Sequence, residues 1–251
     1  MTGTVAPKVR LGRTDLMVSP ICFGTSGLGD MPATFGYSVS FERAAATVNA
    51  ILDGPTTFID LARIYGEGHG KERVGELFRI KEEGPAKAVG LAAGKVDMMT
   101  PLLSAWDFDA LMTHNRFTLV NRNAEPMLDL AKAKGIAVMN AAPCASGVLA
   151  KGPVAFPRYA YQQANDAALE PIRRIEAIAA RYQVPLGAAA LQFSLRDKRV
   201  TSTVCGVTKP ERVKETLDWA RFPIPEAFWQ EVATLPFATD DPEATRTHEK
   251  A

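Results

Sequence analysis

The densest run of chemically capable residues is FIDLARIYGEGHGKERVG, residues 58–75. Asp60 closes an apolar stretch, where a strand buried in an interior would strand its carboxylate at a cost. Tyr65 follows five residues later, beside Gly66 and Gly68. A phenol with a pKa near 10 donates a proton at neutral pH only when a neighbouring cation lowers that value. Asp60 and Tyr65 can therefore be read as an acid/base pair, or equally as a loop cap and a packing residue. Polar residues also end other apolar runs: Thr25, His69, Lys95, His114, Asn115, Asn140 and Ser146. Gly206–Arg212 joins an apolar run to the start of a helical pattern, a junction that suits an anion.

Short β-rich runs and amphipathic helical stretches must position these groups, and they alternate along the chain. Strands are expected at 19–25, 57–60, 86–92, 108–114, 136–142 and 200–206. Apolar residues at helical spacing mark helices at 41–53, 71–84, 124–134, 166–183 and 185–196, one from Pro210 to Ala220, and a last one from about Pro225. Such alternation implies parallel βαβ units, and in parallel α/β folds functional groups gather at the carboxyl ends of the strands. Residues 151–165 read as a long loop, and the polar residues 239–251 as a frayed tail on a single domain spanning 1–251.

Composition excludes several classes of function. The 29 basic and 28 acidic side chains leave a net charge of +1, so nothing favours nucleic acid. Cys22, Cys144 and Cys205 stand far apart and odd in number, against a disulfide framework or a metal site and for a reduced cytoplasmic setting. No apolar run reaches the ~18 residues of a membrane span, and MTGTVAPKVR lacks the apolar segment of a signal peptide.

Five segments in order carry a family resemblance: KVRLGRTDLMVSPICFGTSGLG (8–29), FIDLARIYGEGHGKERVG (58–75), KEEGPAKAVGL (81–91), NAAPCASGVLAKG (140–152) and VCGVTKPERVKETL (204–217). Together they resemble the aldo-keto reductases, nearest to the branch of aldose (fucose, galactose) and pyridoxal dehydrogenases, from about residue 8 to 235. The resemblance implies an α/β fold, a TIM-type (β/α)8 barrel, that binds NADP or NAD without a Rossmann motif. It also implies hydride transfer to or from a small carbonyl or sugar substrate. Tyr65 would then be the general acid/base and Asp60 its charged support. Gly24 and Thr25 would lie near the nicotinamide, His114 and Asn115 at its carboxamide, and Ser146 over the pyrophosphate. Gly206, Val207, Arg212 and Glu215 would hold the adenosine-phosphate end, and no metal would take part.

The chain departs from the family pattern in ways that matter chemically. Ala141 stands near the place of the aromatic residue that stacks on the nicotinamide, and Ala92-Ala93 replaces a Ser-Asn pair. Gly206 replaces the lysine common in NADP-preferring members, while Arg212 remains to pair with a phosphate. KERVG runs directly into ELFRIKEEG, so the roughly eighty residues carrying the third and fourth strands of the eight-stranded barrel have no counterpart. With them go the family lysine and histidine of the catalytic set. Six barrel strands are expected, and without a lysine beside it Tyr65 would keep a pKa near 10. Lys95, His69 and His114 are the residues that could stand in. The expected activity is an NAD(P)-dependent oxidoreductase; the alternative is an impaired barrel remnant that binds nucleotide or a partner without turnover.

Overall fold

The computed structural model describes residues 7–24, 28, 37–55, 58–60 and 88–246. An antiparallel hairpin opens it, β1 (Val9–Arg10) against β2 (Met17–Val18), with Val9 opposite Val18. Gly12 turns this hairpin at φ +56, where an added Cβ would sit 2.8 Å from both Ala137 N and Gly135 O. Only glycine satisfies both the left-handed backbone and that approach. Arg13 beside it donates to the carbonyls of Asp107 and Phe108, fastening the hairpin under the amino ends of the neighbouring strands.

Six strands form one all-parallel sheet: β3 (Ile21–Gly24), β4 (Ile59–Asp60), β5 (Gly90–Ala92), β6 (Ala110–His114), β7 (Ala137–Ala141) and β10 (Ser202–Gly206). Their order across the sheet is β4-β3-β10-β7-β6-β5. Each falls within a run expected to be a strand, because apolar runs of this length are bounded by Gly, Asp or polar residues. Among the described residues β4 and β5 do not pair, and they are the two ends of a partial (β/α)8 barrel. The helix expected at 71–84, which would join them, lies outside the described residues.

Helices cover the outer face. They are α1 (Phe41–Leu52), α2 (Val96–Ala105), α3 (Glu125–Ala133), α4 (Val148–Lys151), α5 (Asp166–Arg181), α6 (Leu186–Arg196), α7 (Pro210–Arg221) and α8 (Glu226–Val232). Ser40 caps α1 by accepting from Arg43 N, and Asn165 caps α5 by accepting from Ala168 N. One core cluster joins β6 and β7 to α2 and α3 through Leu111, Val138, Met99, Leu103, Met127 and Leu128. A second packs Ile21 and Phe23 of β3 on Ile51, Leu191, Val213 and Leu217. The third lies among α4, α5, α6 and α8. In α6 the Trp219 ring fills the space a side chain at Gly187 would need, its Cη2 lying 2.4 Å from an ideal Cβ.

Two stretches differ from the sequence reading. Residues 151–165, expected to be a loop, include the end of α4 and a hairpin of β8 (Arg158–Tyr159) with β9 (Gln162–Gln163). Its turn residues Ala160 and Tyr161 both have positive φ, 49 and 66. That matches the twist of a two-residue hairpin but is here made without the usual Asn or Gly. Helix α2 was not expected, since Pro101 interrupts its pattern.

Candidate active site

At the carboxyl edge of the sheet, register sets Asp60 opposite Gly24 and Gly24 opposite Gly206. The backbone of Asp60, the expected support, and two expected cofactor glycines thus share one row across β4, β3 and β10. Gly24 is closely backed, with an ideal Cβ 3.0 Å from Val204 Cγ1, whereas a side chain at Gly206 would meet open space. Val207 is buried and its N–H donates to Gly24 O at 3.4 Å, so its side chain serves the core beside Phe23 and Leu217. Thr25, Tyr65 and His69 lie outside the described residues.

Three of the expected site residues meet at the ends of β6 and β7. The Ser146 hydroxyl donates to Asn115 Oδ1 at 3.1 Å. Asn115 Nδ2 donates to Glu243 Oε1 at 3.1 Å, and His114 Nε2 lies 3.0 Å from the same oxygen. Asn115 at φ 58 and Ser146 at φ 62 both hold left-handed backbone, as do Ala142 and Ala145. Such conformations cost about 1 kcal/mol or more each and concentrate at functional sites. Here they turn two chain segments toward each other over the strand ends.

Arg116, Asp241, Glu243 and Arg246 complete this cluster, and none of them was a candidate on sequence. Arg116 is 1% exposed and donates through Nη1 to His114 O (3.0 Å) and Glu243 Oε1 (3.2 Å), and through Nη2 to Asp241 Oδ1 (2.5 Å). Arg246 Nη1 reaches Glu243 Oε2 at 3.0 Å, and its guanidinium lies 4.8 Å above the Tyr161 ring. Burial opposes ionisation of Glu243, but His114, Asn115 and Arg116 outweigh it and hold its carboxyl down at about 2. Burial pushes the phenols of Tyr159 and Tyr161 up to about 12, so both stay neutral. Of these added residues only Arg116 had a sequence signal, a charge set between the short apolar stretches ALM and FTLV.

The segment supplying Glu243 is tied to the sheet mouth along its length. Asn123 Nδ2 donates to Thr239 O, Asn121 Nδ2 donates to Asp240 O, and Arg122 N donates to Ala238 O. Residues 247–251 of the expected tail lie outside the described residues.

At the other end of the edge, Arg212 Nη1 pairs with Glu215 Oε2 at 2.6 Å, and the guanidinium lies 5.5 Å over the Trp219 ring. Lys151 sits 4.0 Å over the Phe156 ring; burial first, then repulsion from Arg212 and Lys209, lowers its pKa. Lys95 is exposed at the start of α2. Asn140, grouped with the mouth residues by sequence, instead turns to the helical side and donates to Phe117 O and Ser194 Oγ. Burial pushes the Cys144 thiol up to about 12 and the Cys205 thiol well above its ordinary value, so neither is a nucleophile.

A partial parallel barrel with polar groups along its carboxyl edge defines a class of α/β enzyme scaffold, and here the class can be given a family. The chain belongs to the aldo/keto reductase family, whose model matches residues 20–82 and 77–235. Among similar proteins, D-threo-aldose 1-dehydrogenase of a Pseudomonas species is 32% identical over 159 residues, covering 62% of this chain and 48% of that protein. Pyridoxal 4-dehydrogenase of Microbacterium luteolum is 30% identical over 154 residues, covering 61% of this chain and 45% of that one. The chain therefore spans about half the length of these relatives. Its fold is similar to that of aldo-keto reductase AKR11C1 from Bacillus halodurans, with TM-score 0.68 at 18% identity, covering 96% of this chain and 99% of that one.

Proposed function

We propose that the chain is an NAD(P)-dependent oxidoreductase acting on a small carbonyl or alcohol of the aldose, lactol or pyridoxal-like kind. The observation that carries this is the row Asp60–Gly24–Gly206 at the carboxyl edge of the sheet, in a chain of this family. The names of the similar dehydrogenases support the substrate class.

The donor set suits a dinucleotide. Asn115 and Ser146 offer an amide and a hydroxyl 3.1 Å apart, matched to a carboxamide, and Arg212 offers a guanidinium at the start of α7 for a phosphate. The open space at Gly206 leaves room for a nucleotide beside it. When bound, the nicotinamide supplies or accepts the hydride. Tyr65 gives a proton to the carbonyl oxygen, or takes it back from the alcohol, and Asp60 supports the charge change at that hydroxyl. With the family lysine absent from the sequence, the phenol stays a weak acid, so turnover is slow at neutral pH and rises with alkaline pH in the oxidation direction. NADP and NAD are both accommodated by this donor set.

The second reading, a barrel remnant that binds nucleotide or a partner without turnover, is favoured by one observation. Glu243 already engages His114 and Asn115, the groups assigned to the carboxamide. Comparing the chain with its Tyr65→Phe variant on aldose and pyridoxal substrates separates the readings. A loss of orders of magnitude supports the enzyme, turnover absent from both supports the remnant, and equal turnover in both removes Tyr65 from the catalytic role.

A further inference from the structure

The cluster at the end of β6 can be read without reference to a nicotinamide. Glu243 receives four donors: His114 Nε2, Asn115 Nδ2 and Arg116 Nη1 on one oxygen, and Arg246 Nη1 on the other. Three of the four come from consecutive residues of the sheet mouth, and two of these, Asn115 and Arg116, also hold contacts that do not involve Glu243. Asn115 N donates to Ala141 O, and its side chain is held by Ser146. Arg116 Nη1 donates to His114 O, its carbonyl accepts from Ala124 N, and its Nη2 is balanced by Asp241. Arg116 Nε is buried without a hydrogen-bond partner, so this guanidinium has donor capacity that the protein leaves unused. The loop after β5 lies against the cluster at Gly94, where an ideal Cβ would stand at ordinary contact distance from His114 Cε1 (3.5 Å) and Arg116 Nη2 (3.7 Å).

A buried arginine cannot shed its charge, and charge-assisted bonds from a preset fork are the strong ones. Preset donors that converge on a carboxylate, with the carboxylate itself delivered from a distant chain end, have the form of a site and its ligand.

We infer that His114, Asn115 and Arg116 form a carboxylate-binding site, filled in this chain by Glu243, that takes a small free monocarboxylate when residue 243 no longer supplies one. The inference stands on this geometry and goes beyond the cofactor reading, since it holds whether or not a dinucleotide binds. Residues 239–246 are then a tethered ligand, whose high effective concentration keeps free acid out of the site in the unaltered chain.

The test uses acetate as the probe and thermal unfolding as the readout, with sodium chloride at equal ionic strength as the control. The Glu243→Ala variant should gain roughly 3 °C or more in Tm with saturating acetate, and the unaltered chain should gain nothing. Adding Asn115→Ala to that variant should abolish the gain. A chain ending at Asp241, which keeps the partner of Arg116 Nη2, repeats the measurement should Glu243→Ala fail to fold. No acetate-specific gain in either variant, or an equal gain in the unaltered chain, overturns the site.

Discussion

His114 Nε2 stands 3.0 Å from the Glu243 carboxylate, joining the carboxyl end of a central strand to the last described turn of the chain. The contact lies on the groups proposed to hold the nicotinamide carboxamide, so tail attachment and cofactor binding draw on the same donors. Glu243→Gln removes the charge that holds the tail and keeps the shape. Because a site that is only partly available binds more weakly by that fraction, this variant should bind NAD(P)H more tightly, by roughly three- to tenfold. Fluorescence titration of both proteins measures it, and equal affinities would show that the tail and the cofactor do not compete.

The same carboxylate sets a pH dependence. Its pKa is lowered in the folded chain from 4.5 to about 2. A depressed folded value means that the contribution to stability is complete above the unfolded value and is lost as pH falls toward the folded one. The stability difference between the unaltered chain and Glu243→Gln should therefore be constant above about pH 5 and shrink between about pH 4.5 and 2. Urea unfolding at a series of pH values reads it directly.

The Trp219 ring against Gly187 makes a prediction about the scaffold alone. An added methyl at this position meets ring carbons at 2.4–2.6 Å, and the ring can only relieve that by leaving its packing in the groove between α6 and α7. Gly187→Ala should lower stability by about 1–3 kcal/mol despite its better helix propensity. The denaturant midpoint checks this, and a neutral or stabilising result would place the ring elsewhere.

Gly206 points the other way. A side chain there enters open space beside the start of α7, so Gly206→Lys should leave stability unchanged. It should shift binding toward NADPH over NADH, by roughly tenfold for one added phosphate contact. Parallel titrations with the two nucleotides provide the comparison.

Much of the fold was legible because the parallel strands are bounded apolar runs: ICFG, GLA, ALMTH, AVMNA and STVCG each end where a polar residue or glycine begins a loop. Helix α2 was not, since Pro101 breaks its pattern, although the buried Met99 and Leu103 pay for the missing hydrogen bond. The β8–β9 hairpin was hidden because Ala160 and Tyr161 adopt left-handed backbone without the residues that usually signal it. Within the site, Gly24, Asp60 and Gly206 could be placed at strand ends from sequence because each closes a strand. The Glu243 contacts could not, because a polar tail carries no local signal of which buried charge it will meet. Arg116 carries a weak signal, since a charge between two short apolar stretches that become buried must find a partner once folded.

The central claim is that the carboxyl edge of this partial barrel holds a nicotinamide dinucleotide. Titration of NADPH and of NADH into the chain of residues 1–251, followed by nicotinamide emission, tests it most directly. Saturable binding in the range of about 1 μM to 1 mM, weakened severalfold by Arg212→Ala in a chain that stays folded, is the predicted result. No saturable binding of either nucleotide, or binding indifferent to Arg212→Ala, would contradict it.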